Sequence, residues 1–187
     1  MDHDATGGRP RPVPPDTKDW TVVLTDGCAE CGFDPDVDVR TVGERLRASV
    51  PTWRSRLAED DVRERPAPTV WSPLEYAAHV RDVLVVMRER LALMLAEDGA
   101  QFAGWDQDLA AVEGRYAEED PDEVARQLAA EAGSTAEAFD AVPDDAWGRR
   151  GYRAGTAFTV ATLAVYLLHD VEHHVHDVES SGRGVTG

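Results

Sequence analysis

Apolar residues recur at alternating steps of three and four along much of the chain, which is the spacing of one face of a helix. Four segments carry this pattern. Over about 37–60, Val42, Leu46, Val50, Trp53 and Leu57 share one side, and Pro51 is expected to kink the helix. The second segment, to about residue 97, opens on Ser72-Pro73-Leu74-Glu75: an N-cap serine, proline at the first helical position and glutamate three residues after the cap. Its stripe is Tyr76, Val80, Leu84, Met87, Leu91 and Met94. The third, over about 121–141, starts at Asp120-Pro121 and aligns Val124, Leu128, Ala132, Thr135 and Phe139. The fourth, over about 159–179, aligns Val160, Leu163, Leu167, Val171, His174 and Val178.

Strand-like alternation is weak throughout, so the expected class is all-α, a four-helix bundle with an extended N-terminal arm. Residues 1–15, rich in glycine and proline, read as a flexible lead. Residues 16–36 read as an arm carrying Cys28-Ala29-Glu30-Cys31, residues 37–180 as the bundle and residues 181–187 as a tail. The connection over 99–119 and the loop with Trp147, Arg149, Arg150, Tyr152 and Arg153 read as irregular.

Composition narrows the function. The 187 residues hold 36 acidic and 19 basic side chains, a net charge of −17, which disfavours phosphate backbones and anionic membranes as partners. No apolar run reaches the roughly 18 to 20 residues that span a bilayer, and the N-terminus lacks the apolar stretch of a signal peptide, so a cytoplasmic protein is expected. Two cysteines do not make a disulfide framework for a domain of this size. Their CxxC spacing leaves three readings open: a disulfide or redox pair, a metal site completed by other groups, or two thiols without a special role.

Four of the six histidines, His169, His173, His174 and His176, fall within eight residues of the last helix. His169 and His173, four apart, share a face, with His176 beside them and His174 over on the apolar stripe. Such a pair can offer two imidazoles to a divalent cation, and His79, one turn after Glu75 on the second helix, is the candidate third ligand. A histidine-rich helix end that merely complements the helix dipole is the plainer alternative.

The segment RPAPTVWSPLEYAAHVRDV, with Trp71, Ser72, Pro73 and His79, and the closing LLHDVEHHVHDV resemble the DinB/YfiT-like family, which includes bacillithiol- and mycothiol-dependent S-transferases. The likeness covers about residues 37–180. It implies a divalent metal, zinc or nickel, held by His79, His169 and His173 at one end of the bundle. Many relatives continue the last motif as histidine-histidine-arginine-glycine-glutamine, whereas His173-His174 here leads into Val175-His176-Asp177, so His174 and His176 are alternatives in the ligand register. The cysteine arm lies outside the resemblance.

Three neutral histidines would leave an open Lewis-acid position. The resemblance then implies transfer of a low-molecular-weight thiol, such as mycothiol, to a small electrophile, with Glu75 or Glu172 positioning a proton. The alternatives are a hydrolase using water bound at the metal, and a non-catalytic metal or small-ligand binding protein of stress tolerance. A homodimer is compatible with a bundle face left to pair.

Overall fold

A computed structural model describes residues 13–14 and 18–181, and the four periodic segments are its four long helices. In chain order the elements are α1 (Val23–Asp26), α2 (Val42–Leu57), α3 (Pro73–Ala96), β1 (Ala100–Phe102), α4 (Gln107–Glu113), α5 (Pro121–Asp140), β2 (Arg150–Arg153), β3 (Thr156–Thr159) and α6 (Val160–Ser181). The lead and tail expected over 1–15 and 181–187 lie almost wholly outside the described residues. No helix among those described is long and apolar enough to cross a membrane.

The start signal at Ser72 operates as a capping box. The Glu75 N–H donates to Ser72 Oγ at 3.3 Å, and the Ser72 N–H donates back to Glu75 Oε2 at 2.9 Å. This satisfies two amide donors that a helix start otherwise leaves orphaned, and Pro73 removes a third. At α5 the Asp120 carboxylate accepts from the Glu123 N–H at 3.0 Å ahead of Pro121. α2 continues through Pro51.

Each of α2 and α3 packs against both α5 and α6, so α2 sits across the diagonal of the bundle from α3, and α5 from α6. Leu46 and Trp53 of α2, Leu84 of α3, Leu128 and Phe139 of α5 and Leu167 of α6 are fully buried between them. α3 and α6 run antiparallel. Met94, at the end of α3, accepts a hydrogen bond at 2.9 Å from Arg149 Nε, and the Arg149 carbonyl accepts at 3.0 Å from Val160, the first residue of α6, while His79 near the start of α3 lies 4.9 Å, ring to ring, from His174 late in α6.

The segments expected to be irregular hold a three-stranded sheet in the order β1-β2-β3, with β1 and β2 parallel and β2 and β3 antiparallel. Runs of three or four residues are too short to show a period of two, which is why the alternation is not visible in sequence. The β2–β3 turn takes positive φ at Ala154 and Gly155. At Gly151, paired with Phe158, a side chain would meet Phe102 at 2.5 Å and Met94 at 2.7 Å, so the sheet lies flat on the end of α3.

The arm is part of the core. Val23, Cys28 and Phe33 are buried with the bundle residues, and α1 packs on α6. Because the capping box sets where α3 begins, replacing Ser72 by alanine is expected to cost about 1 kcal/mol. Urea unfolding would show this as a lower midpoint at unchanged slope, whereas an unchanged midpoint would mean that the cap contributes nothing.

Candidate metal centre

A helix advances about 100° per residue, so α6 carries two i, i+4 pairs of ligand type, 169/173 and 170/174, on adjoining faces. The structure sends them to different neighbours. Asp170 and His174 meet His79 of α3, and His169 and His173 meet Cys28 and Cys31 of the arm; within each group one donor atom per residue lies within 4.8 Å of all the others. His79 is thus not grouped with His169 and His173, the ligands implied by the family resemblance. Asp170 and His174 stand beside it instead. The apolar stripe of α6 turns toward α3, and His174 continues that stripe, so a partner for His79 comes from this face.

His79 is 1% exposed. Its ring packs against Trp71 at 5.2 Å, stacks on Trp105 at 5.6 Å and meets His174 edge-on. His79 Nε2 lies 3.6 Å from Asp170 Oδ1, beyond a good hydrogen bond, and His174 Nε2 lies 3.9 Å from the same oxygen. Both ring nitrogens of His79 and Oδ1 of Asp170 are buried without a hydrogen-bond partner. Buried polar atoms left this way cost about 1 to 3 kcal/mol each, and one His79 nitrogen facing Asp170 Oδ1, two orphans 3.6 Å apart, fits a shared cation better than a closed protein interior. On the far side of His174, Nδ1 lies 2.9 Å from Asp177 Oδ2. That contact fixes the tautomer and presents Nε2 to the site, as carboxylates behind metal-binding histidines do.

The protonation states suit ligation. Burial pushes the His79 imidazole below its usual range, with the Asp170 carboxylate opposing it. Burial alone would raise the Asp170 carboxyl, but the His79 and His174 rings hold it below the ordinary value. The set of two imidazoles and one carboxylate is of the same type as the ligands of catalytic zinc with one position left open.

In the second group both cysteines are free thiols, with Cys28 buried and Cys31 partly so. Cys28 Sγ lies 3.6 Å from His173 Nδ1, and His169 Nε2 is buried with no hydrogen-bond partner. The Trp20 ring packs on both imidazoles, at 5.4 Å from His169 and 5.0 Å from His173. Burial pushes the Cys31 thiol up to about 11, opposed by the Phe33 N–H on its sulfur. Burial also pushes His169 down to about 4, helped by the neighbouring His173.

A cavity of about 240 Å³ opens onto both pairs of α6 and is walled by Trp20, Trp71, Tyr76 and Tyr166. Asp108, Asp170 and Asp177 also line it, and among the described residues no lysine or arginine does. Glu75 and Glu172, the proton-positioning candidates, are committed elsewhere. Glu75 accepts from Ser72 and is ion-paired with Arg65, and Glu172 is held by two hydrogen bonds from Arg45 at 2.8 and 2.6 Å. Neither lines the cavity. His176 is at 3.4 Å from Ser180 Oγ, outside both groups. Of the loop residues, Arg153 stands 5.7 Å from the ring of Tyr166, itself a wall of the cavity, and Arg149 is tied to Met94. Asp170 and Cys28 are the donors that histidine spacing alone does not reveal, although the Asp170/His174 pair has the same i, i+4 interval.

Comparison with known proteins bears on the fold and the family. The profile of the DinB superfamily matches residues 43–178. Among solved structures the chain is similar to YfiT from Bacillus subtilis, described as "a probable metal-dependent hydrolase with an unusual four-helix bundle topology", at 17% identity and a TM-score of 0.67 over 78% of this chain and 84% of that one. No curated protein matches the sequence.

The histidine environments set an acid limit for the metal-free protein. An unfolded chain takes up protons on histidine near pH 6.5, whereas folded His79, His169 and His173 resist protonation. Between those limits the unfolded state binds more protons, so stability present above about pH 6.5 is lost as pH falls, and His169 contributes no further loss below its own value of about 4. The lowered Asp170 and Asp177 carboxyls add loss at still lower pH. Urea midpoints measured in chelator should fall from pH 7 to pH 5, and fall less in His169→Gln. Equal pH dependence in that variant would show that His169 is not held neutral by the fold.

Proposed function

The chain belongs to the DinB superfamily, and from that premise we propose that it is a metal-dependent enzyme acting on a small electrophile, with a low-molecular-weight thiol as nucleophile. The observation that carries the metal-dependent reading is the convergence of His79, Asp170 and His174, three donors with orphaned or outward-facing atoms, at the wall of an aromatic cavity. Such a ligand set, holding zinc or nickel, supplies Lewis acidity at an open position.

The chain's own residues do the rest. His79 closes the site from behind, held between Trp71 and Trp105, while Asp170 and His174 face the cavity. Asp177 orients His174 through Nδ1. The aromatic walls exclude water from the apolar part of a substrate, and their faces suit a sugar ring or an aryl group. Among the described residues the lining has three aspartates and no cationic side chain, which favours an uncharged thiol rich in hydroxyls over one that carries carboxylates. Asp108 and Asp177 are the cavity carboxylates that can take the proton of the nucleophile.

Hydrolysis is a second reading, with water in place of the thiol, favoured by the likeness to YfiT and its description as a probable hydrolase. Substrate loss with and without thiol separates the two.

In protein purified without a histidine tag, His79→Ala and His174→Ala should each lose one metal ion per chain and the thiol-dependent consumption of monobromobimane. Asp177→Asn should weaken metal affinity by about 10- to 100-fold while retaining the three ligands. Metal content unchanged in both histidine variants would overturn the site. No thiol-dependent turnover in metal-loaded parent protein, with hydrolysis intact, would replace the transferase reading with the second.

A further inference from the structure

We propose that Cys28, Cys31, His169 and His173 form a second, closed metal site for a thiophilic dication of the zinc type, which fastens the N-terminal arm to α6 and fixes one wall of the cavity. The donor set is two thiols and two imidazoles, each offering an atom within 4.8 Å of the other three. Four donors of this kind make a complete tetrahedral shell, unlike the three-donor group around His79.

The separation between the Cys28 thiol and the His173 imidazole tests the fit. Metal–sulfur and metal–nitrogen bonds of about 2.3 and 2.0 Å at the tetrahedral angle place the two donors about 3.5 Å apart. Cys28 Sγ and His173 Nδ1 are 3.6 Å apart. An S–H···N hydrogen bond has the same reach, so the discriminating observation is the other imidazole. One ring nitrogen of His169 lies within 4.8 Å of both thiols, and its Nε2 is buried without any hydrogen-bond partner, an orphan that a cation satisfies.

The backbone around the cysteines is built to turn both sulfurs inward. The Cys28 N–H donates to the Phe33 carbonyl at 2.9 Å, and the Gly32 N–H donates to the Cys28 carbonyl at 2.8 Å. Gly27 and Gly32 take φ of +70° and +77°, and at Gly27 a side chain would strike the Phe33 oxygen at 2.6 Å. Behind His173, Nε2 lies 3.8 Å from both Asp177 and Glu30, carboxylates on the side away from the thiols. Two thiolates and a dication sum to zero charge, so the occupied site carries no net charge into a buried place.

The consequence reaches the cavity through Trp20, which packs on His169 and His173 and also lines the cavity wall. Joining arm to helix at four points holds that wall in place. This role is structural, and it stands whether or not the cluster at His79 is catalytic.

Cobalt(II) loading of the reduced, untagged, full-length protein tests it directly. The expected parent spectrum has near-ultraviolet thiolate-to-cobalt charge-transfer absorption and intense tetrahedral visible bands. His174→Ala should keep both features while losing one of two bound ions. The Cys28→Ser/Cys31→Ser double variant should lose the charge transfer and one ion, and His169→Ala should lose the tetrahedral bands. A folded, reduced parent that shows no charge transfer overturns the proposal without reference to any variant. A zinc content equal in parent and double-cysteine variant overturns it too, as does a purified protein that gains two hydrogens in mass on reduction, since that thiol pair is then a disulfide.

Discussion

Two ligand pairs offset by one residue on α6 are the constraint to which the rest of the molecule answers. Around the pair 170/174 the His79 nitrogens and Asp170 Oδ1, and in the pair 169/173 His169 Nε2, are buried without a hydrogen-bond partner, at a cost of about 1 to 3 kcal/mol for every orphaned group. The pair 170/174 turns to α3 and the pair 169/173 to the arm, because 100° of helix rotation separates neighbouring residues. The capping box at Ser72, the turn at Gly27 and the connection carrying Trp105 all act to place a partner against one of these two faces.

The overall charge of −17 takes a specific form at this end of the bundle. Burial keeps His79, His169 and His173 neutral, while Asp170 and Asp177 remain ionised beside them. A site with neutral nitrogen donors and ionised oxygen donors attracts a dication without requiring any proton to leave an imidazolium first. The Cys31 thiol is different. Its burial holds the proton on, so occupancy of the arm site by a cation is coupled to release of thiol protons.

The cavity is assembled from parts far apart in the chain. Trp20 comes from the arm, Trp71 from the approach to α3 and Tyr166 from α6 itself. Trp105, on the connection after β1, backs His79 from the other side. With Tyr76 from α3, no two of the four aromatic walls share an element, so the cavity's shape depends on the packing of the arm and connections as much as on the bundle.

The chain's own pattern determined the four helices, because apolar stripes of 16 to 24 residues leave a helix only one face to bury. It also determined the start of α3, since Ser72, Pro73 and Glu75 meet their backbone partners within one turn. The short strands and the buried arm were not legible, as their stability comes from neighbours distant in sequence: Phe102 against Gly151, and Phe33 against His169. The histidines marked the end of the bundle that holds the site. Which of them stand together was decided by the tertiary structure alone, for the rotation of α6 about its axis is set by the packing of Leu163, Leu167 and Val171 among the other helices. One residue of offset in that rotation exchanges the cysteines of the arm for His79 as the partner of an imidazole.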